Sequence, residues 1–121
     1  MILAAVDDLL FSSKIRATAK QAGVDLTFVR TPAEILEQAR ALGPSLVIFD
    51  LNSGKTDPIA TIAAMKQDQS LAGVRTLGFV SHVDTEMIQA ARHAGADEIM
   101  ARSTFAANLA EILLADRTTK P

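Results

Sequence analysis

No cysteine, tryptophan or tyrosine occurs among the 121 residues, and five phenylalanines are the whole aromatic complement. Without thiols there can be no disulfide, no thiolate metal site and no thiol nucleophile, and a reducing cytoplasm is the expected compartment. Concentrated positive charge is missing too. Twelve Lys and Arg against 14 Asp and Glu leave a formal net charge of −2, which offers no electrostatic footprint for nucleic acid. No apolar run approaches the thickness of a bilayer, and the N-terminal stretch reaches Asp7 before a signal-peptide core could form, so no membrane partner is expected. The six glycines form neither Gly-x-Gly-x-x-Gly nor a P-loop, which removes the usual nucleotide-binding signatures.

What the chain does have is rhythm. Short apolar runs recur at Leu3–Val6, Leu26–Val29, Leu46–Phe49, Leu77–Val80 and Glu98–Met100, each followed by an amphipathic stretch. Runs of this kind read as buried parallel strands, and the stretches between them carry helix punctuation. Phe11, Ile15, Thr18 and Ala22 fall at helical spacing before Gly23. Thr31-Pro32-Ala33-Glu34 joins an N-cap, a first-turn proline and a capping-box glutamate. Asp57-Pro58 repeats the cap-and-proline logic, Asp84 or Thr85 caps a fourth helix that Gly95 ends, and Thr104 caps a last helix over Phe105–Ala115. Five βα units predict one α/β domain over residues 1–115, with 116–121 as a frayed tail or the start of a linker. The fold class is flavodoxin-like: a doubly wound five-stranded parallel sheet of order 2-1-3-4-5, with helices on both faces.

That order gives three acids a common address. Asp7-Asp8 closes the first strand and Asp50 the third, and these two strands are neighbours at the switch point where ligands bind in such sheets. Unit charges a few ångström apart repel by roughly 1 to 4 kcal/mol per pair at surface-like dielectric. A hard divalent cation would relieve this, and oxygen-only donors from Asp7, Asp8, Asp50 and the backbone carbonyl of Asn52 suit Mg²⁺ better than zinc. A carboxylate so placed can attack phosphorus, and Asp50 is the natural nucleophile. Ser81 at the end of the fourth strand and Arg102 beyond the fifth reach the same sheet edge, where a hydroxyl and a guanidinium could hold a phosphoryl group.

Val6-Asp7-Asp8, Asp50-Leu51-Asn52 with Asp57 seven residues on, Ser81, and Ala94-Gly95-Ala96-Asp97 together resemble the response-regulator receiver domain of two-component signalling. The resemblance covers nearly the whole chain. It implies Asp7 and Asp8 as metal-binding acids, Asp50 as phospho-acceptor and Ser81 as switch hydroxyl. It further implies phosphoryl transfer from a histidine kinase or phosphotransfer protein, in a cytoplasmic signalling module that is not an enzyme. The competing expectation is a pseudo-receiver, an interaction module that works without phosphorylation. Departures from the family pattern motivate it: Arg102 replaces the usual lysine, Ser103 the proline after it, and Ile99 the aromatic switch residue, while Thr104 is an added residue and His82 follows Ser81 where a small residue is preferred. The family's partner face would here include Ala90, Ile99, Ala106, Ala107 and Ala110, on helix four, strand five and helix five, and could support a homodimer. An enzyme or cofactor binder on the same architecture is a third class, but Asn52 leaves no second acid to protonate a leaving group.

Overall fold

The computed structural model describes residues 1–81 and 84–118. Five strands, β1 (Ile2–Ala5), β2 (Leu26–Phe28), β3 (Leu46–Asp50), β4 (Arg75–Val80) and β5 (Glu98–Ala101), form one parallel sheet in the order β2-β1-β3-β4-β5. Between and after them lie α1 (Leu9–Ala22), α2 (Pro32–Leu42), α3 (Pro58–Gln67), a 3₁₀ turn (Gln69–Leu71), α4 (Thr85–Ala94), α5 (Arg102–Ala107) and α6 (Leu109–Thr118). Class and order are those the sequence predicts, and strand ends move by only a residue or two. His82, Val83 and 119–121 lie outside the described residues, and with them the reading of His82 as an active-site neighbour.

The strands are apolar throughout because both faces of the sheet are covered. Leu3, Ala5, Val47, Phe49 and Val80 point to the side packed with Ile35, Ile62, Met65 and Ala91 from α2, α3 and α4. Ile2, Ala4, Ile48, Leu77 and Phe79 point to the side packed with Phe11, Ile15, Phe105, Leu109 and Leu113 from α1, α5 and α6. Three of the five phenylalanines meet on that second side: Phe79 stacks on Phe105 at 4.7 Å between centroids, and Phe11 meets Phe79 edge-on at 5.2 Å. This cluster binds α1, β4 and α5 together directly beneath the carboxyl edge of the sheet.

Local punctuation follows the sequence with three corrections. Thr31 Oγ1 accepts from the Glu34 N–H at 3.1 Å, and Asp84 accepts from the Met87 N–H, as expected of N-caps. Asp57, however, stands at the start of α3 with φ +42° and makes no side-chain cap. It is held by its backbone, whose carbonyl accepts from the Thr61 hydroxyl at 2.8 Å. Thr104 does not cap the final helix. The chain turns into α5 directly after Ala101 and breaks at Asn108, whose N–H and amide both donate to the Thr104 carbonyl. Burial of Phe105 on Phe79 fixes this early start, and it makes Arg102 the first helical residue. The last helix also continues past the expected end at Ala115, through Thr118.

Two glycines are required by close approach. Gly95 ends α4 at φ +105°, and a Cβ there would sit 2.7 Å from Lys66 Cγ, on the stem of a lysine that donates to Asp97 at 2.9 Å. In β4, a Cβ on Gly78 would lie 2.9 Å from three side-chain atoms of Leu51, the residue after Asp50. Leu51 is buried and has nowhere to retreat. Gly78→Ala is therefore expected to lower stability by about 1–3 kcal/mol in urea unfolding with an unchanged slope. A loss of less than about 0.5 kcal/mol, the range of neutral surface changes, would show that Leu51 is not the tight wall described here.

Candidate functional site

Because β1 and β3 pair in register, with Ala5 opposite Phe49, the residues that follow them emerge side by side. Asp50, the last residue of β3, is only 6 % exposed, whereas Asp7 and Asp8 in the β1–α1 turn are partly open to solvent. Ser81 follows β4, and Arg102 opens α5 just past β5. Each predicted site residue therefore reaches the carboxyl edge of the sheet, but they are not joined in the predicted way.

One oxygen of Asp50, Oδ1, accepts the Asn52 N–H at 2.9 Å. Burial, foremost, holds the Asp50 carboxyl above its ordinary range. The Asn52 hydrogen bond and the charge of Arg102 oppose the shift, and the like charges of Asp7 and Asp8 add to it. The Asn52 side chain also has a role that sequence reasoning did not foresee. Its Oδ1 accepts from the Ser81 N–H at 2.8 Å, latching the loop after β3 to the end of β4.

Arg102 turns away from a direct bond to Asp50. Its Nη2 donates to Asp8 Oδ2 at 2.9 Å, and its guanidinium carbon lies 4.4 Å from the centroid of the Phe11 ring. Asp8 Oδ1 meanwhile accepts the Phe11 N–H at 3.0 Å and so caps α1. The Phe11 N–H, first, and the Arg102 guanidinium, second, hold the Asp8 carboxyl below the usual aspartate range. The sequence marked Asp8 as an acid and Phe11 as a core residue. The Asp-x-x-Phe spacing of an N-cap three residues before an aromatic was the available sign that both belong to the site.

No protein-family model matches this chain, and no curated protein is detectably similar in sequence. Solved structures are similar in fold. A response regulator from Hahella chejuensis superposes with a TM-score of 0.85 at 18 % identity, over 98 % of this chain and 95 % of that one. This is the receiver-domain fold. The chemotaxis response regulator CheY4 of Vibrio cholerae gives 0.80 at 17 % identity over 95 % and 96 % of the two chains. The Mn²⁺-bound response regulator Rcp1 gives 0.70 at 17 % identity over 98 % and 91 %.

On this receiver fold the expected cation set, Asp7, Asp8, Asp50 and the Asn52 carbonyl, does not fit a divalent ion as the side chains stand. Among the described residues no three acidic or histidine side chains come together closely enough to hold a metal. Both oxygens of Asp8 are already engaged, one of them by Arg102. It brings a positive charge onto Asp8 Oδ2, while the helix cap engages Oδ1. The second departure of this receiver fold is open space. Ile99 lines a cavity of about 640 Å³ shared with Ser81, Ile88, Arg92, Arg102 and Ala106, between α4, β5 and α5.

The raised Asp50 pKa carries a stability consequence. The fold favours the protonated carboxyl, so this contribution is fully present below the unfolded pKa of about 4 and is lost as pH rises through the higher folded value. Asp50→Asn imitates the protonated state. It is expected to raise the thermal midpoint at pH 7 relative to wild type, with the difference shrinking as pH falls through the raised folded pKa and gone below about 4. A variant less stable than wild type at pH 7 would contradict the assignment of burial as the dominant influence.

Proposed function

We propose that this chain is a receiver module of phosphorelay signalling that accepts a phosphoryl group on Asp50 from the phosphohistidine of a histidine kinase or phosphotransfer protein. The observation that carries this reading is the placement of Asp50: a nearly buried carboxylate at the switch point, with one oxygen fixed by Asn52 and Ser81 and Arg102 at the same edge. The free oxygen, Oδ2, attacks phosphorus, the phosphorus–nitrogen bond breaks, and its electron pair leaves on the donor imidazole, which takes a proton from water. The Ser81 hydroxyl donates to a phosphoryl oxygen, and the positive charge of Arg102 offsets the charge brought in. The product is an acyl phosphate on Asp50 and a neutral histidine on the donor. The match in fold to response regulators supports the reading, and nothing in the comparisons favours a phosphorylation-independent module instead.

Incubation with phosphoramidate, a small donor whose phosphorus–nitrogen bond resembles phosphohistidine, tests it by intact mass. Wild type is expected to gain one hydroxylamine-labile phosphoryl group, and Asp50→Asn none. Absence of the adduct, or its survival in Asp50→Asn, would count against phosphoryl uptake from such donors. Only the ionised carboxylate is a nucleophile, so the rate of adduct formation should fall as pH is lowered toward the raised Asp50 pKa, at higher pH than for an unperturbed aspartate. A rate flat down to the ordinary aspartate range, near pH 4, would remove burial from the mechanism.

A further inference from the structure

We infer that Arg102 is the resident cation of the acid pocket, its guanidinium taking the place that a divalent ion would otherwise fill, so that wild-type protein has little affinity for Mg²⁺ and loss of Arg102 creates a site for it. The inference stands on the Asp8–Arg102 geometry and not on phosphoryl uptake, so either can fail without the other.

Three features hold the guanidinium where it is. Its Nη2 is 2.9 Å from Asp8 Oδ2, its guanidinium carbon sits over the Phe11 ring at 4.4 Å from the centroid, and Phe11 is itself packed against Phe79 and Phe105. Arg102 begins α5, whose position Phe105 fixes from below, so the side chain starts from a defined point on the opposite side of the pocket. The same Phe11 residue supplies the N–H that engages the other oxygen of Asp8. One residue thus anchors both the acid and the cation.

The chemistry of the pocket follows. The charges of Asp7 and Asp8 act against an ionised Asp50, and the charge of Arg102 acts in its favour. A divalent ion entering beside Arg102 would have to displace a planar group from both a carboxylate and an aromatic face, or accept its charge as a close neighbour. Mg²⁺ is further disfavoured because it demands near-octahedral oxygen geometry and gives up its water reluctantly. Lysine, a hydrated point charge without a plane to lay on Phe11, would not be held in this way. The substitution that looks mild by charge alone is what fills the pocket.

Mg²⁺ alone is the probe, followed by calorimetric titration and by the thermal midpoint in EDTA and in MgCl₂. Wild type is expected to show no saturable heat and one midpoint in both buffers. Arg102→Gln, which keeps length and removes charge, should have a lower midpoint in EDTA, recover it in Mg²⁺, and bind Mg²⁺ at least about tenfold more tightly than wild type. Asp8→Asn in the same variant should abolish that gain. Equal binding by wild type and Arg102→Gln, or a gain that survives Asp8→Asn, would overturn the inference. If Arg102→Gln does not fold in either buffer, the Arg102 Nε–H resonance of wild-type protein decides: unmoved through the Mg²⁺ titration it supports the inference, and saturably displaced it refutes it.

Discussion

A parallel sheet of order 2-1-3-4-5 cannot end β1 and β3 anywhere but side by side, and in this chain both endings are acidic. Asp7, Asp8 and Asp50 are therefore brought to one edge of the sheet by topology, at the point where the backbone leaves the sheet in opposite directions. Every other feature of the pocket answers that constraint. Asp50 is buried and its acidity weakened, Asp8 becomes a helix cap, and Arg102 crosses from the far edge to neutralise it. The core beneath gives this arrangement its rigidity, since the Phe11, Phe79 and Phe105 rings join the strand and the two helices that carry Asp8 and Arg102.

Charge and packing are thus one problem here. An exposed Arg–Asp pair contributes little by itself, because side chains must be ordered against strong solvent screening. Laying the guanidinium on a buried ring reduces the freedom that has to be lost. The scarcity of aromatics makes the placement informative. With no tyrosine or tryptophan available, three of five phenylalanines stand under the site, and position 99, where the receiver family usually carries an aromatic, holds isoleucine beside an open cavity.

Much of this was legible in the sequence, for definite reasons. Apolar runs flanked by turns reported the buried parallel strands, and the Thr31 and Asp84 caps and the Gly23 and Gly95 turns marked helix ends, because each is decided within a few residues of chain. The address of Asp7, Asp8 and Asp50 followed from strand order alone. What depends on contacts across the chain was not legible. Phe105 packing on Phe79 moved the start of the last helical segment ahead of Thr104 and aimed Arg102 at Asp8, 94 positions away in sequence. Asp57 keeps the cap position but adopts a left-handed backbone that its sequence context did not announce. Asn52, expected to contribute only through its backbone carbonyl, also bridges to Ser81 with its side chain.

Carboxyl-carbon NMR titration of Asp7, Asp8 and Asp50, in wild type and in Arg102→Gln, tests most directly whether Arg102 organises this pocket. Asp8 is expected to titrate below and Asp50 above the ordinary aspartate range in wild type. Both should move upward in the variant, Asp8 because its ion pair is gone and Asp50 because the nearby positive charge is lost. Titrations of Asp8 and Asp50 that are the same with and without the guanidinium would contradict the claim that Arg102 is the cation on which the pocket is built.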